Sequence, residues 1–177
     1  AMDIVRYGII GLGNMGTGHM GYFQKGEVPG AKVTAICDIR QDRIDRMVGK
    51  YPDAGFKTYL SYKDLVDGGE VDAVIVAVPH YFHPEIVIYA LKKGLNVICE
   101  KPAGVYTKQV KKMMEVAKTA KGLFTMMFNQ RTNCLYRKMR EIILSGGIGE
   151  VTRVNWIITD WYRPQFYYDS GDWRGTW

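Results

Sequence analysis

Gly11-Leu12-Gly13-Asn14-Met15-Gly16 stands directly after an apolar run, Val5–Ile10, and directly before a helix-patterned stretch that reaches Gln24. Glycine at these three places meets three steric needs. Gly11 permits a tight turn, Gly13 lets the backbone come close to a pyrophosphate, and Gly16 lets helix and strand pack together. With Leu12, Asn14 and Met15 completing the turn, the helix start offers N–H groups and a partial positive charge to an anion. Asp38 ends the second apolar run, 22 residues after Gly16. A carboxylate there can accept hydrogen bonds from the adenosine ribose and repels a 2′-phosphate, so NAD is the expected cofactor. Ile39 and Arg40 join it as candidate cofactor contacts. Arg40 and Arg43 leave NADP open, because a guanidinium can receive that phosphate. Capping of the helix Gln41–Lys50 is the alternative use of Asp38.

Two further apolar runs end in polar residues. Val78-Pro79-His80-Tyr81-Phe82-His83-Pro84 follows one, and Glu100-Lys101-Pro102 follows the other. Ligands of open parallel sheets sit beyond the carboxyl ends of the strands. Val78, Pro79, His80, His83, Glu100, Lys101 and Pro102 are therefore candidate cofactor contacts. An ammonium at Lys101 would polarise a developing alkoxide and share in proton transfer. A surface lysine at a strand end is the bland alternative. His83 suits a cofactor contact and a helix start before Pro84 equally well. His80 is expected in an exposed loop and His19 on the surface of the first helix.

Positioning these residues requires strands that alternate with helices, the pattern of a parallel sheet wrapped by crossovers. Strands are expected at Val5–Ile10, Lys32–Cys37, Phe56–Tyr59, Ala73–Val78, Leu95–Cys99 and Leu123–Phe128. Helices are expected from the glycine turn to Gln24, at Gln41–Lys50, near Tyr62–Val66, from Pro84 as first helical residue to about Lys93, and at Thr107–Ala120. In the last of these Val110, Met113, Met114 and Ala117 form a core-facing stripe. The reading is α/β: a Rossmann doubly wound parallel sheet over residues 1–128, then the incomplete start of an α+β domain over 129–177. The second part should hold a helix at Leu135–Leu144 and a strand at Val151–Thr159. Eight of the 22 residues from Trp156 to Trp177 are aromatic, among them all four tryptophans. Such a segment has no layer of its own to pack against, so either it is an interface, buried by another copy of the chain, or it is part of an incomplete second domain and is expected to be disordered.

Composition narrows the classes. The chain has 177 residues, 47% hydrophobic and 24% charged, an ordinary globular balance. No apolar run approaches the ~20 residues of a membrane span, and no basic segment with an apolar signal core opens the chain. The net charge of +6 comes without a basic stripe interleaved with aromatics, which argues against nucleic acid. Three cysteines without C-x-x-C spacing suggest neither a disulfide framework nor a metal site, and a cytoplasmic location is expected.

Taken in order, these motifs resemble those of the Gfo/Idh/MocA family (glucose–fructose oxidoreductase and inositol dehydrogenase). That family has a glycine fingerprint, a V-x-x-P-x-x-x-H loop, a G-x-x-V-x-x-E-K-P loop and an arginine after strand six. Here these read Gly11–Gly16, Val76–His83, Gly94–Pro102 and Asn129-Gln130-Arg131, and Gly147–Val151 matches the opening of the second domain. The resemblance implies an NAD(P)-dependent dehydrogenase acting on a secondary alcohol of a sugar or cyclitol, with Lys101 catalytic beside the nicotinamide. It further implies Lys101, Asn129, Arg131, Trp173 and Arg174 at the substrate, and a homo-oligomer formed through the second domain. In the family a W-R segment is followed by an Asp-x-x-x-His pair whose histidine partners the lysine. No such pair follows Asn129 here, so residues 1–177 are expected to bind the cofactor without turnover. A non-catalytic NAD-binding module or redox-sensing regulator is the competing reading, and it leaves Glu100-Lys101-Pro102 without a purpose.

Overall fold

The structure, a computed structural model, describes residues 4–160, 162–171, 174 and 175. Six strands form one parallel sheet: β1 (Val5–Ile10), β2 (Ala31–Cys37), β3 (Lys57–Tyr59), β4 (Ala73–Val76), β5 (Asn96–Cys99) and β6 (Phe124–Met126). Their order is β3-β2-β1-β4-β5-β6. The chain leaves β1 toward β2 and β3, then returns to the other side of β1. Strand order therefore reverses between β1 and β4, and the crevice beyond their carboxyl ends is where such sheets take ligands.

Successive side chains of a strand point to opposite faces, so β1 feeds two cores. Ile9 lies with Leu12, Met20, Val33, Ile36, Ile44 and Met47, beneath α1 (Asn14–Gln24) and α2 (Gln41–Lys50). Ile10 lies in a larger cluster with Leu65, Ile86, Val87, Leu91, Val97 and Met113. That face is covered by α3 (Tyr62–Asp67), α4 (His83–Lys92) and α5 (Thr107–Thr119). All four residues of β4 are buried, as a strand covered on both faces requires.

Several local expectations change, β6 for one running Phe124–Met126 rather than Leu123–Phe128. α4 starts at His83, so Pro84 is its second residue. The proline still lies among the N–H groups that have no intrahelical partner, and the helix loses nothing. In α5, Met113 is fully buried while Met114 is 43% exposed. Neighbouring positions lie about 100° apart on a helix, and the buried face here is narrower than four residues. β4 ends at Val76, which leaves Ala77 and Val78 to the loop.

The chain divides into two compact units, residues 1–127 and 128–177. The second contains a short 3-10 turn (Asn129–Thr132), α6 (Cys134–Leu144) and α7 (Gln165–Asp169). Asn133 caps α6, its Oδ1 accepting the Leu135 N–H at 2.9 Å. The helix stops at Ser145, followed by Gly146 at φ +74°. The expected strand at Val151–Thr159 is not formed. A strand exists through a ladder with a neighbour, and the described residues of this unit offer none. Its apolar side chains stand in solvent, Val154 75% and Ile157 82% exposed, with the Trp156 ring 5.4 Å from that of Tyr136. Trp161, Trp173 and Trp177, expected in the aromatic segment, lie outside the described residues. Among the described residues no helix is long and apolar enough to cross a membrane.

Candidate active site

The glycine turn connects β1 to α1 at the crevice. Gly11 adopts φ +95°, and a Cβ on it would come within 2.7 Å of the Ala77 backbone. On Gly16 a Cβ would lie 1.8 Å from the Gly11 carbonyl oxygen, so only glycine lets helix and turn close together. Gly13 differs from both. It is the N-cap residue of α1, and a Cβ there would meet nothing within 4 Å. Open space beside Gly13, ahead of the free N–H groups of α1, fits a dinucleotide pyrophosphate. Asn14 and Met15 are exposed at this start. Leu12 points into the core; it gives its N–H to Asp38, and its carbonyl accepts from Thr17 Oγ1 and Arg46.

Asp38 is buried at the end of β2, where it holds the turn in place. Its Oδ2 accepts the Leu12 N–H at 2.8 Å and an Arg43 N–H at 3.3 Å, and its Oδ1 accepts the Arg40 N–H at 3.0 Å. A carboxylate has about four acceptor positions, so one remains for a ribose hydroxyl. Arg40 is itself the N-cap residue of α2 and makes a two-pronged pair with Asp42, at 3.0 and 2.7 Å. Both arginines considered for a 2′-phosphate are therefore already committed to carboxylates, which favours NAD. Ile39, between Asp38 and Arg40, is 87% exposed.

The loops after β4 and β5 are joined to each other and to α1. The Glu100 N–H donates to the Val76 carbonyl at 2.9 Å. His83 is buried, with Nδ1 2.7 Å from the Pro102 carbonyl and Nε2 2.8 Å from the Val78 carbonyl. The ring thereby bridges the loop carbonyls of Val78 and Pro102. His80 is half-buried rather than exposed. Burial, then the charges of His83 and Lys101, holds its pKa below the usual histidine value. Pro79 is half-buried beside it, whereas Lys101 and Pro102 are exposed, joined by a cis peptide.

His19 is the residue that sequence reasoning missed. It is not a surface histidine: its Nε2 lies 2.7 Å from Glu100 Oε1, with side chains only 11% and 6% exposed. Its position carried a signal, three residues after buried Gly16 and one before buried Met20, which places it toward the sheet. Burial pushes the Glu100 carboxyl up, but the His19 hydrogen bond and charge, with the Lys101 N–H and ammonium, outweigh it and leave the pKa below the ordinary value. A cleft of about 420 Å³ along α3, α4 and α5, bounded by Tyr62, Tyr81 and Lys112, includes none of these residues.

The four remaining candidates belong to the second unit, and three of them are described. Asn129 and Arg131 are exposed on its 3-10 turn, the Arg131 guanidinium 5.0 Å from the Phe128 ring centroid. Arg174 donates to the Tyr167 carbonyl at 3.0 Å and to Ser170 Oγ at 2.6 Å. Trp173 lies outside the described residues.

Comparison with known proteins agrees with this geometry. Residues 5–128 match the model of the Gfo/Idh/MocA oxidoreductase family, NAD-binding Rossmann fold. Inositol 2-dehydrogenase 3 of Saccharopolyspora erythraea is 32% identical over 168 residues, 94% of this chain and 48% of that protein. Among solved structures, scyllo-inositol dehydrogenase from Lactobacillus casei with bound NAD(H) and scyllo-inositol superposes with a TM-score of 0.78 at 26% identity, over 85% of this chain and 44% of that one. The WlbA dehydrogenase from Chromobacterium violaceum, in complex with NADH and UDP-GlcNAcA, gives 0.85 at 25% identity, over 100% and 50%. The chain thus spans about half the length of the relatives it matches. The matched stretch takes in the glycine turn, Asp38 and both loops, and the chain belongs to the Gfo/Idh/MocA family of oxidoreductases with an NAD-binding Rossmann fold.

Proposed function

We propose that the whole protein is an NAD-dependent dehydrogenase that oxidises a secondary alcohol of a cyclitol or sugar, with Lys101 as its catalytic residue. The observation that carries this reading is the position of Lys101. It follows β5, one strand from the point where strand order reverses, exposed between a buried Glu100 and a Pro102 held by His83. The turn Gly11–Gly16 and the start of α1 would hold the pyrophosphate, and Asp38 the adenosine ribose. Bound NAD supplies the hydride acceptor. The Lys101 ammonium stabilises negative charge on the substrate oxygen and takes part in moving its proton. Asn129, Arg131, Trp173 and Arg174 are the proposed substrate contacts from the second unit.

The substrate class rests on the resemblance to dehydrogenases of inositols, with a nucleotide sugar as the variant suggested by the likeness to the WlbA dehydrogenase, which spans this chain and half of that one. A cytoplasmic protein that assembles with copies of itself completes the proposal. Residues 1–177 alone are expected to bind NAD and turn over little, since no Asp-x-x-x-His pair follows Asn129. The test is NADH formation by the full-length protein against a panel of inositols, free sugars and UDP-sugars. Turnover of one class supports the reading. NAD binding without turnover of any panel member would favour a redox-sensing regulator.

A further inference from the structure

His19 has no role so far, yet its pairing with Glu100 joins the two halves of the candidate site. His19 is the sixth residue of α1, the helix whose start faces the pyrophosphate position. Its Nε2 lies 2.7 Å from Glu100 Oε1, and the second carboxylate oxygen, Oε2, accepts the backbone N–H of Lys101 at 3.3 Å. Glu100 is an ionised acceptor with no proton to give, so the His19 Nε2 must be the donor. The result is a continuous connection from α1 through His19 and Glu100 to the main chain of Lys101. Both side chains are almost wholly buried, and a lone ionised carboxylate there would be costly without a donor.

We infer that His19 is a positioning residue for Lys101: by holding Glu100 it fixes the lysine's backbone to the helix that receives the cofactor phosphates. Cofactor and ammonium are then registered against one rigid element. This suits a reaction in which a displacement of about 1 Å costs ~10²-fold in rate. The inference rests on the proposed role of Lys101.

Geometry supplies the discriminating variants. Glutamine places an amide N–H near the position of histidine Nε2, whereas asparagine is one bond shorter and cannot reach. The first readout needs no cofactor: amide hydrogen exchange at Lys101 in residues 1–177. His19→Asn should raise that exchange about tenfold or more, and His19→Gln should leave it within about threefold. The second is kinetic, in the full-length protein. His19→Asn should lower kcat by ~10- to 100-fold, with KM and the NAD dissociation constant changed by less than about threefold, and His19→Gln should recover most of kcat. Should His19→Asn fail to fold, Glu100→Met replaces it. Its side chain has no oxygen to accept from Lys101, so faster exchange and lower kcat are again expected. The inference is overturned if the asparagine variant, or Glu100→Met in its place, keeps wild-type exchange and kcat, or if His19→Gln loses as much as His19→Asn. Lys101→Ala separates this from the reading beneath it. If Lys101→Ala abolishes turnover while His19→Asn does not, the positioning role alone fails. If Lys101→Ala keeps turnover, the role of Lys101 fails.

Discussion

Gly13 and Gly16 stand three residues apart in one turn and should respond to a methyl group in opposite ways. On Gly16 it would lie 1.8 Å from the Gly11 carbonyl oxygen, so Gly16→Ala must push helix and turn apart. Stability should fall by ~1–3 kcal/mol, with NAD affinity falling alongside. On Gly13 the methyl group meets no protein atom within 4 Å. Gly13→Ala should therefore melt at nearly the wild-type temperature yet bind NAD at least about tenfold more weakly, because the lost space is the ligand's. Thermal melts beside calorimetric NAD titrations separate the two. Unaltered NAD affinity in Gly13→Ala would mean that the pyrophosphate does not approach there.

The carboxylate that joins α1 to the end of β5 makes stability depend on pH. Glu100 has a folded pKa below its ordinary value of 4.5. The ionised carboxylate therefore contributes stability that is complete above that value and fades as pH falls through the folded pKa. Against Glu100→Gln the wild type should hold an advantage of ~1–3 kcal/mol near neutrality, shrinking on acidification below about 4.5. Melts of both proteins from neutrality into acid read this directly, and an advantage that grew on acidification would contradict it. The same helices and strands mark how far the sequence was legible. Strand–turn–helix periodicity and glycine spacing sufficed for β1, α1, β2 and α2, because each is set by local burial and turn chemistry. Val151–Thr159 was misread because its β-branched pattern describes a strand only where a neighbour exists to pair with it. His19 escaped because its partner lies 81 positions along the chain, and no local pattern specifies a partner that distant.

Taken whole, the chain joins a well-covered Rossmann unit to one that leaves large apolar side chains in water. Val154, Trp156, Ile157 and Ile158 are 75%, 60%, 82% and 58% exposed. Burying such side chains is worth ~1.5–3 kcal/mol each, enough to favour self-association. Light scattering should find a dimer or larger species that Ile157→Asp weakens, and a monodisperse wild-type monomer would count against assembly through this segment. The central claim is that one family scaffold binds NAD at the glycine turn and does chemistry at Lys101. The most direct test is Lys101→Ala in the full-length protein, with kcat/KM and the NAD dissociation constant measured together. Removing one charged donor from a transition state should lower kcat/KM by ~10²–10³-fold while NAD binding stays within a few-fold. Lys101→Arg should not restore turnover, because a guanidinium gives up no proton near neutrality. Wild-type kcat/KM in the alanine variant would make Lys101 a structural residue and contradict the account.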